Sequence, residues 1–402
     1  MLTVAEARTA ISSALPEFAT ETVELSRAAG RVLRQSVLAE RDQPPFDRVT
    51  MDGIALAFDG YARGLRTFRI EGTQHAGEPV TKLTDDAHCI EIMTGAVLPQ
   101  GTDCVIPVER IAIANGQAAL EPGYAAERRQ FIHSRGSDTL KDREVLAPGS
   151  VITPIDIAII ASSGLQRIEV AAQPAIRVVS TGDELVAPGQ PIEAHQIRLS
   201  NGPAVVAMLQ QQGFADCAHE HLRDDPEVLR TRLAAQLRKA GVLILSGGVS
   251  MGKADFVPRV LEELGVTRVF HKISQKPGLP MWFGTGPGRQ AVFALPGNPV
   301  STLICCRHYV LPALFEASGR PVSKHESALL TEDVTFKPEL TCFLPVRLHG
   351  DIDGVLRARP VPTNTSGDFA SLAGTEGYVE LARELSHFPQ GSPVPVHRWA
   401  AP

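Results

Sequence analysis

Basic residues are in deficit: 39 Lys and Arg stand against 45 Asp and Glu in 402 residues, a net charge of -6. A nucleic-acid-binding chain usually carries a basic excess or a basic stripe, and this one has neither. No stretch reaches the ~18 uninterrupted apolar residues of a membrane helix. The uncharged run from Gln290 to Cys306 is broken by Pro296, Gly297 and Pro299. The opening MLTVAEARTA has no basic segment followed by an apolar one, which predicts no secretory signal. The six cysteines, Cys89, Cys104, Cys217, Cys305, Cys306 and Cys342, show neither a disulfide framework nor C-x-x-C spacing. Free thiols in a reducing cytoplasm are the expectation, with Cys305 and Cys306 as packing residues. The histidines, His271 and His308 among them, are scattered without H-x-x-x-H spacing and predict no metal constellation.

Gly (34) and Pro (30) are abundant, as in a turn-rich chain of several domains. Thr3 followed by Glu6 reads as a capping box opening a helix to about Leu15. A short helical or turn segment ends near Leu38. Pro44 and Pro45 then impose extended chain. Short apolar runs split by Gly and Pro continue to about His133, a β-rich pattern. Residues 140–172 turn helical again, around TPIDIAIIASSG, and are expected to pack with the N-terminal helix. From about Pro174, apolar strands alternate with amphipathic helices, which predicts a doubly wound parallel sheet. After Ser323 short strands return. The expected division is 1–40 with 140–172 as a split N-terminal domain, 41–139 as a β-rich second domain, 173–322 as an α/β domain, and 323–402 as a C-terminal β domain resembling a barrel. The fold class is α/β multidomain.

Ligands of open α/β sheets bind outside the carboxyl ends of the strands. Three segments fall there: Ser180-Thr181-Gly182-Asp183-Glu184, Ser246 to Gly252 with Gly247, Gly248 and Ser250, and Leu295-Pro296-Gly297-Asn298-Pro299. Glycine lets backbone N–H groups approach an anion, and a following helix adds its positive end. Tight strand-to-helix turns also need Gly, so one loop says little and three say more. Asp224 and Asp225 open a helix before Pro226, and for Asp225 a capping role is the better reading. Glu184 and Asp255 flank glycine turns, where carboxylates beside an anion call for a hard cation such as Mg²⁺. Lys272 and Lys276 lie in HKISQKPGLP. Pro277 denies that stretch a helix, so they read either as loop residues that neutralise an anion or as surface lysines.

STGDEL (180–185), SGGVSMGKAD (246–255), KPGLP (276–280) and LPGNPVS (295–301) resemble the pterin-binding domain of the molybdopterin molybdenumtransferases, a family that includes the gephyrin E domain. PPFDRVTMDGIA (44–55), IMTGAVLPQGTDCVIPVE (92–109), RGSD (135–138) and NTSGDFASLAGTEGYVEL (364–381) are similar to the family's other segments, in order along nearly the whole chain. The resemblance implies an enzyme that inserts molybdate into adenylylated molybdopterin and releases AMP, with Mg²⁺ as cofactor. It implies catalytic roles for Asp52, Glu184, Asp224, Asp255, Lys272 and Lys276, with Glu184, Asp224 and Asp255 on the metal. Substrate contacts fall to Thr94, Gly95, Asp138, Ser180, Thr181, Gly182, Gly247, Gly248, Ser250, Gly252, Pro277, Gly278, Pro296, Gly297, Asn298, Pro299 and Ser366. A homodimer with sites shared between subunits is implied, as are a pterin adenylyltransferase and molybdoenzyme chaperones as partners. No nucleic-acid or membrane partner is expected. The family usually has Tyr where this chain has Ile54, Arg where it has Glu91 and His133, an acid where it has Leu199, and Leu-Arg where it has Leu344-Pro345. Two other readings stand beside this one: a pterin adenylyltransferase or nucleotide amidase on the same domain, and a non-catalytic scaffold.

Overall fold

The computed structural model describes residues 1–249, 256–320 and 326–400. The chain divides into two units: Met1–Arg34 with Pro148–Thr153 and Arg167–Pro402, and Gln35–Ala147 with Pro154–Gln166.

In the first unit, Ile176–Thr181, Val242–Ser246 and Ala291–Leu295 are almost wholly buried strands. Runs such as VLIL and AVFAL allow this, because a strand covered on both faces needs no polar alternation. The six-stranded sheet runs Cys217–Leu222, Ile176–Thr181, Val242–Ser246, Ala291–Leu295, Trp282–Thr285, Thr267–His271. The first four strands are parallel. The last two join by antiparallel pairing, which adds an antiparallel edge to the doubly wound parallel sheet. Residues 286–290 make a connection too short for a parallel crossover, which takes a dozen residues or more. Helices cover both faces. Leu229, Leu233 and Leu237 of Pro226–Lys239 and Val257, Val260 and Leu261 of Val257–Glu263 pack on one side. Val205 and Leu209 of Asn201–Gln211 and Ile304 of Pro299–Cys305 pack on the other. Pro258 sits in the first turn of its helix, where its missing N–H removes no intrahelical bond.

The N-terminal helix Val4–Ala14 is capped by Thr3, with Glu6 bonding back to the cap. Its buried Val4, Ala7 and Ile11 join the core that holds Phe270, Ile273 and Leu314. The helix Pro154–Ser162, the expected partner of that N-terminal helix, belongs to the second unit. Its sequence is mostly apolar, yet only Ile160 is buried and Ile155 is 74% exposed. Thr20–Glu24, within the stretch read as helix or turn, is a strand antiparallel to Arg167–Ala171.

The C-terminal strands close into a barrel. Thr341–Gly350 pairs with both Leu356–Pro360 and Gly377–Leu381. Glu326–Leu330 pairs with Leu356–Pro360 and Pro393–Arg398, and the last pairs with Gly377–Leu381. Val346, Ala358, Val379 and Val394 fill it. Gln275–Lys276, from the KPGLP segment, adds alongside Thr341–Cys342 as a short parallel strand.

The second unit is built on a six-stranded sheet, Cys104–Pro107, Gly53–Leu56, His88–Ile92, Thr67–Gln74, Gln117–Leu120, Ile111–Ala114, over a core of Ile54, Leu56, Phe68 and Ile106. Gly53, at φ +154°, has no room for a side chain: a Cβ would lie 1.9 Å from the Ile106 carbonyl oxygen. All six cysteines are free. Burial pushes the Cys89 and Cys104 thiols up to about 12, so they pack as inert apolar groups.

Candidate functional site

At the carboxyl edge of the parallel strands lies a cleft of about 820 Å³, a size that suits a small molecule. Each of the three glycine turns contributes to its wall: Ser180, Thr181 and Glu184; Ser246, Gly247 and Gly248; Pro296 to Pro299. Lys276 to Pro280 form another wall, joined by Asp224 and by Ser366 from the C-terminal region.

The walls are held by a polar network under the loops. Asn201 Nδ2 donates to Ser246 Oγ at 3.0 Å and to the Gly297 carbonyl at 2.7 Å. Thr302 Oγ1 donates to the Pro296 carbonyl at 2.5 Å. Asn298 Nδ2 donates to Ser366 Oγ at 2.6 Å. Gly247, at φ +102°, lets two loops touch: a Cβ there would lie 2.6 Å from the Thr181 carbonyl oxygen. Gly278 likewise clears the buried Cys305 sulfur, which a Cβ would approach to 2.6 Å. From the neighbouring edge strand, His219 Nε2 lies 3.0 Å from Ser180 Oγ, and His221 Nε2 donates to the Gly182 carbonyl at 2.8 Å. Burial lowers the His219 pKa, favouring the neutral imidazole.

Among the described residues, two oxygens on this wall, Thr181 Oγ1 and Asn201 Oδ1, are buried without a hydrogen-bond partner. Such groups cost about 1–3 kcal/mol each when left unpaired, so a polar ligand would satisfy a standing deficit. The carboxylates of Glu184 and Asp224 line the same cleft and offer only oxygen donors. That chemistry fits a hard divalent cation shared with a phosphate.

Lys276, Pro277, Gly278, Asn298 and Ser366 are on the cleft, as the motifs suggest. Gly182 and Lys272 are not among its lining residues. Lys272, at φ +77°, donates its amide to the Met281 carbonyl at 2.9 Å. Asp225 caps its helix, accepting from the amides of Glu227 and Val228. Ser250, Gly252 and Asp255 lie outside the described residues. Asp52, Thr94, Gly95 and Asp138 belong to the second unit. There the Thr94 amide and hydroxyl both donate to Asp52 Oδ1, at 2.6 and 2.7 Å. The amide bond foremost holds the Asp52 carboxyl below the usual carboxylate range. Asp138 Oδ1 lies 2.8 Å from His133 Nε2, and Arg48 Nη2 lies 3.1 Å from His133 Nδ1. A guanidinium only donates, so Nδ1 accepts and the Nε2–H points to Asp138.

Sequence reasoning missed Arg198, Asn201, Leu340 and Phe369, which also line the cleft. Asn201 had a signal, since it opens a helix at the ligand edge. Leu340 and Phe369 arrive from the C-terminal region and carry none.

Family models match in series: MoeA N-terminal region (domain I and II) over residues 2–164, probable molybdopterin binding domain over 177–316, and MoeA C-terminal region (domain IV) over 327–399. The molybdopterin molybdenumtransferase of Synechocystis is 40% identical over 99% of this chain and 100% of its own. That of Haemophilus influenzae is 31% identical over 98% of each. The crystal structure of the molybdopterin biosynthesis MoeA protein from Pyrococcus horikoshii superposes with a TM-score of 0.85 at 28% identity, covering 100% of both chains.

Proposed function

The chain belongs to the family of the molybdopterin molybdenumtransferases, and from that premise we infer that it inserts molybdate into adenylylated molybdopterin, releases AMP and so forms molybdenum cofactor. The observation that carries this reading is the meeting of three glycine turns at one sheet edge, with two buried oxygens in need of a partner.

In this reading the backbone of Gly247 and Gly248 and the end of the Pro299–Cys305 helix receive the phosphates. Lys276 neutralises their charge. Asn298 and Ser366 orient the pterin end. Glu184 and Asp224, with Asp255, hold Mg²⁺, which supplies charge neutralisation at the phosphate when bound. Thr181 Oγ1 and Asn201 Oδ1 accept hydrogen bonds from the substrate. Asp52, Thr94, Gly95 and Asp138 complete the cleft from the second subunit of a cytoplasmic homodimer. The substrate comes from a pterin adenylyltransferase, and the product passes to molybdoenzyme chaperones. Among the described residues no helix is long and apolar enough to cross a membrane.

The test is AMP release from adenylylated molybdopterin by the purified protein, with and without molybdate. Molybdate-dependent release with transfer of molybdenum to the pterin is the expected result. Formation of adenylylated pterin from ATP, without molybdate-dependent release, would instead make the chain an adenylyltransferase.

A further inference from the structure

Away from the cleft, three side chains converge where the helical layer meets the outside of the barrel. His308 is buried on the π-helical turn Cys306–Val310. Glu380 and His397 stand on the barrel strands Gly377–Leu381 and Pro393–Arg398. One potential ligand atom from each lies within 4.8 Å of the others. His397 Nε2 is 3.0 Å from Glu380 Oε2, and the two imidazole rings meet edge-on at 4.8 Å. We propose that His308, Glu380 and His397 form a structural site for a borderline divalent cation of the Zn²⁺ class, which pins the helical layer to the barrel.

An ordinary ion pair accounts for His397 and Glu380, and His308 adds a second imidazole beside them. Two imidazoles and one carboxylate are a recurrent zinc ligand set. With bonds near 2.1 Å, two ligands of a tetrahedral ion lie about 3.4 Å apart, between the 3.0 Å and 4.8 Å found here. Small side-chain movements suffice. The surroundings also suit the role. His308 Nδ1 lies 3.1 Å from the Tyr378 hydroxyl, so in the proposed site Nε2 would be the nitrogen that takes the metal. Metal-bound histidines commonly anchor their other nitrogen in this way. Tyr378 also stacks on His397 at 5.0 Å, and Phe343 lies 4.5 Å from His308. This partly apolar enclosure suits an ion that holds parts together. A π-helical turn is a rare local choice that often marks a functional position. No spacing in the sequence betrays the set, because each ligand comes from a different element.

The experiment uses the full chain, stripped of metal and held in excess Mg²⁺ to occupy any all-oxygen site. Zn²⁺ is titrated with the melting temperature as one readout, and Co²⁺ with its visible d–d absorption as another. One tightly held Zn²⁺ per chain is expected, with a raised melting temperature and Co²⁺ bands typical of mixed nitrogen and oxygen ligation. His397→Gln and Glu380→Gln should each abolish these signals. Tyr378→Phe should weaken Zn²⁺ by about 10- to 100-fold. Weak non-stoichiometric binding alone, or a Glu380→Gln protein that takes up Zn²⁺ as the wild type does, would overturn the proposal. If His397→Gln fails to fold, Glu380→Gln, whose side chain is the more exposed of the pair, decides the matter.

Discussion

Thr181 and Asn201 each bring to the cleft a buried oxygen that nothing in the described protein satisfies. They are better evidence of a polar ligand than any charged residue nearby, because exposed charges are satisfied by water. Lys276 is the cation on which the phosphate assignment rests. A charge-assisted contact is worth about 1.5–3 kcal/mol, so Lys276→Ala should weaken binding of the adenylylated substrate by about 10- to 100-fold. The loss should shrink at high salt, where screening has already weakened the wild-type contact. Lys272→Ala, outside the lining, should cost less. Equal affinities for Lys276→Ala and wild type across a salt series would remove Lys276 from the site. The turn residues were legible in the sequence because glycine and proline mark positions where the backbone itself is constrained. Arg198, Leu340 and Phe369 were not, because only the tertiary fold brings them to the cleft.

Among the elements, buried strands were the easiest to read. Val242–Ser246 and Ala291–Leu295 are short runs, apolar but for Ser246, that end in glycine turns. Cys217–Leu222 escaped notice because it is an edge strand whose centre, His219-Glu220-His221, is an unbroken polar run with no apolar periodicity. Gln275–Lys276 escaped because its partner strand begins at Thr341, far along the chain. The loops between elements are as tightly specified as the strands. Gly247→Ala places a Cβ against the Thr181 carbonyl at a φ that favours glycine. It should destabilise the fold by about 1–3 kcal/mol and loosen substrate binding; a chemical denaturation curve matching wild type would show that the loops can part freely. In the barrel wall, Arg398 pairs with both oxygens of Glu326, at 2.7 and 2.8 Å, which lowers the Glu326 pKa. A carboxylate lowered on folding stabilises above its unfolded pKa, and that stability is lost as pH falls through the folded value. The pair is partly exposed, so Glu326→Gln should cost less than about 1 kcal/mol near pH 7. Denaturation at stepped pH should show the difference vanishing well below pH 4. A difference that persisted there would mean packing, not charge, is responsible.

For the whole molecule, the proposed shared site has a quantitative signature. Asp52→Ala and Asp224→Ala proteins, each inactive, are mixed and their subunits exchanged. Random pairing makes about half the dimers mixed, each with one intact site, so activity should return to roughly a quarter of wild type. Exchange verified by mass without any recovery would put both residues in one subunit's site. The order in which the chain is made adds a different constraint. Val4, Ala7 and Ile11 are buried in a core with Phe270 of the strand Thr267–His271 and Leu314 of the helix Leu311–Ala317. Thr20–Glu24 pairs with a strand that starts only at Arg167. At about 5–20 residues per second, the apolar face of the first helix waits roughly ten seconds to a minute for its partners while the second unit is synthesised. A helix made well before its partners is thus among the last elements to find shelter. That interval exposes it to nascent-chain chaperones and proteases, and a slow ribosome prolongs it.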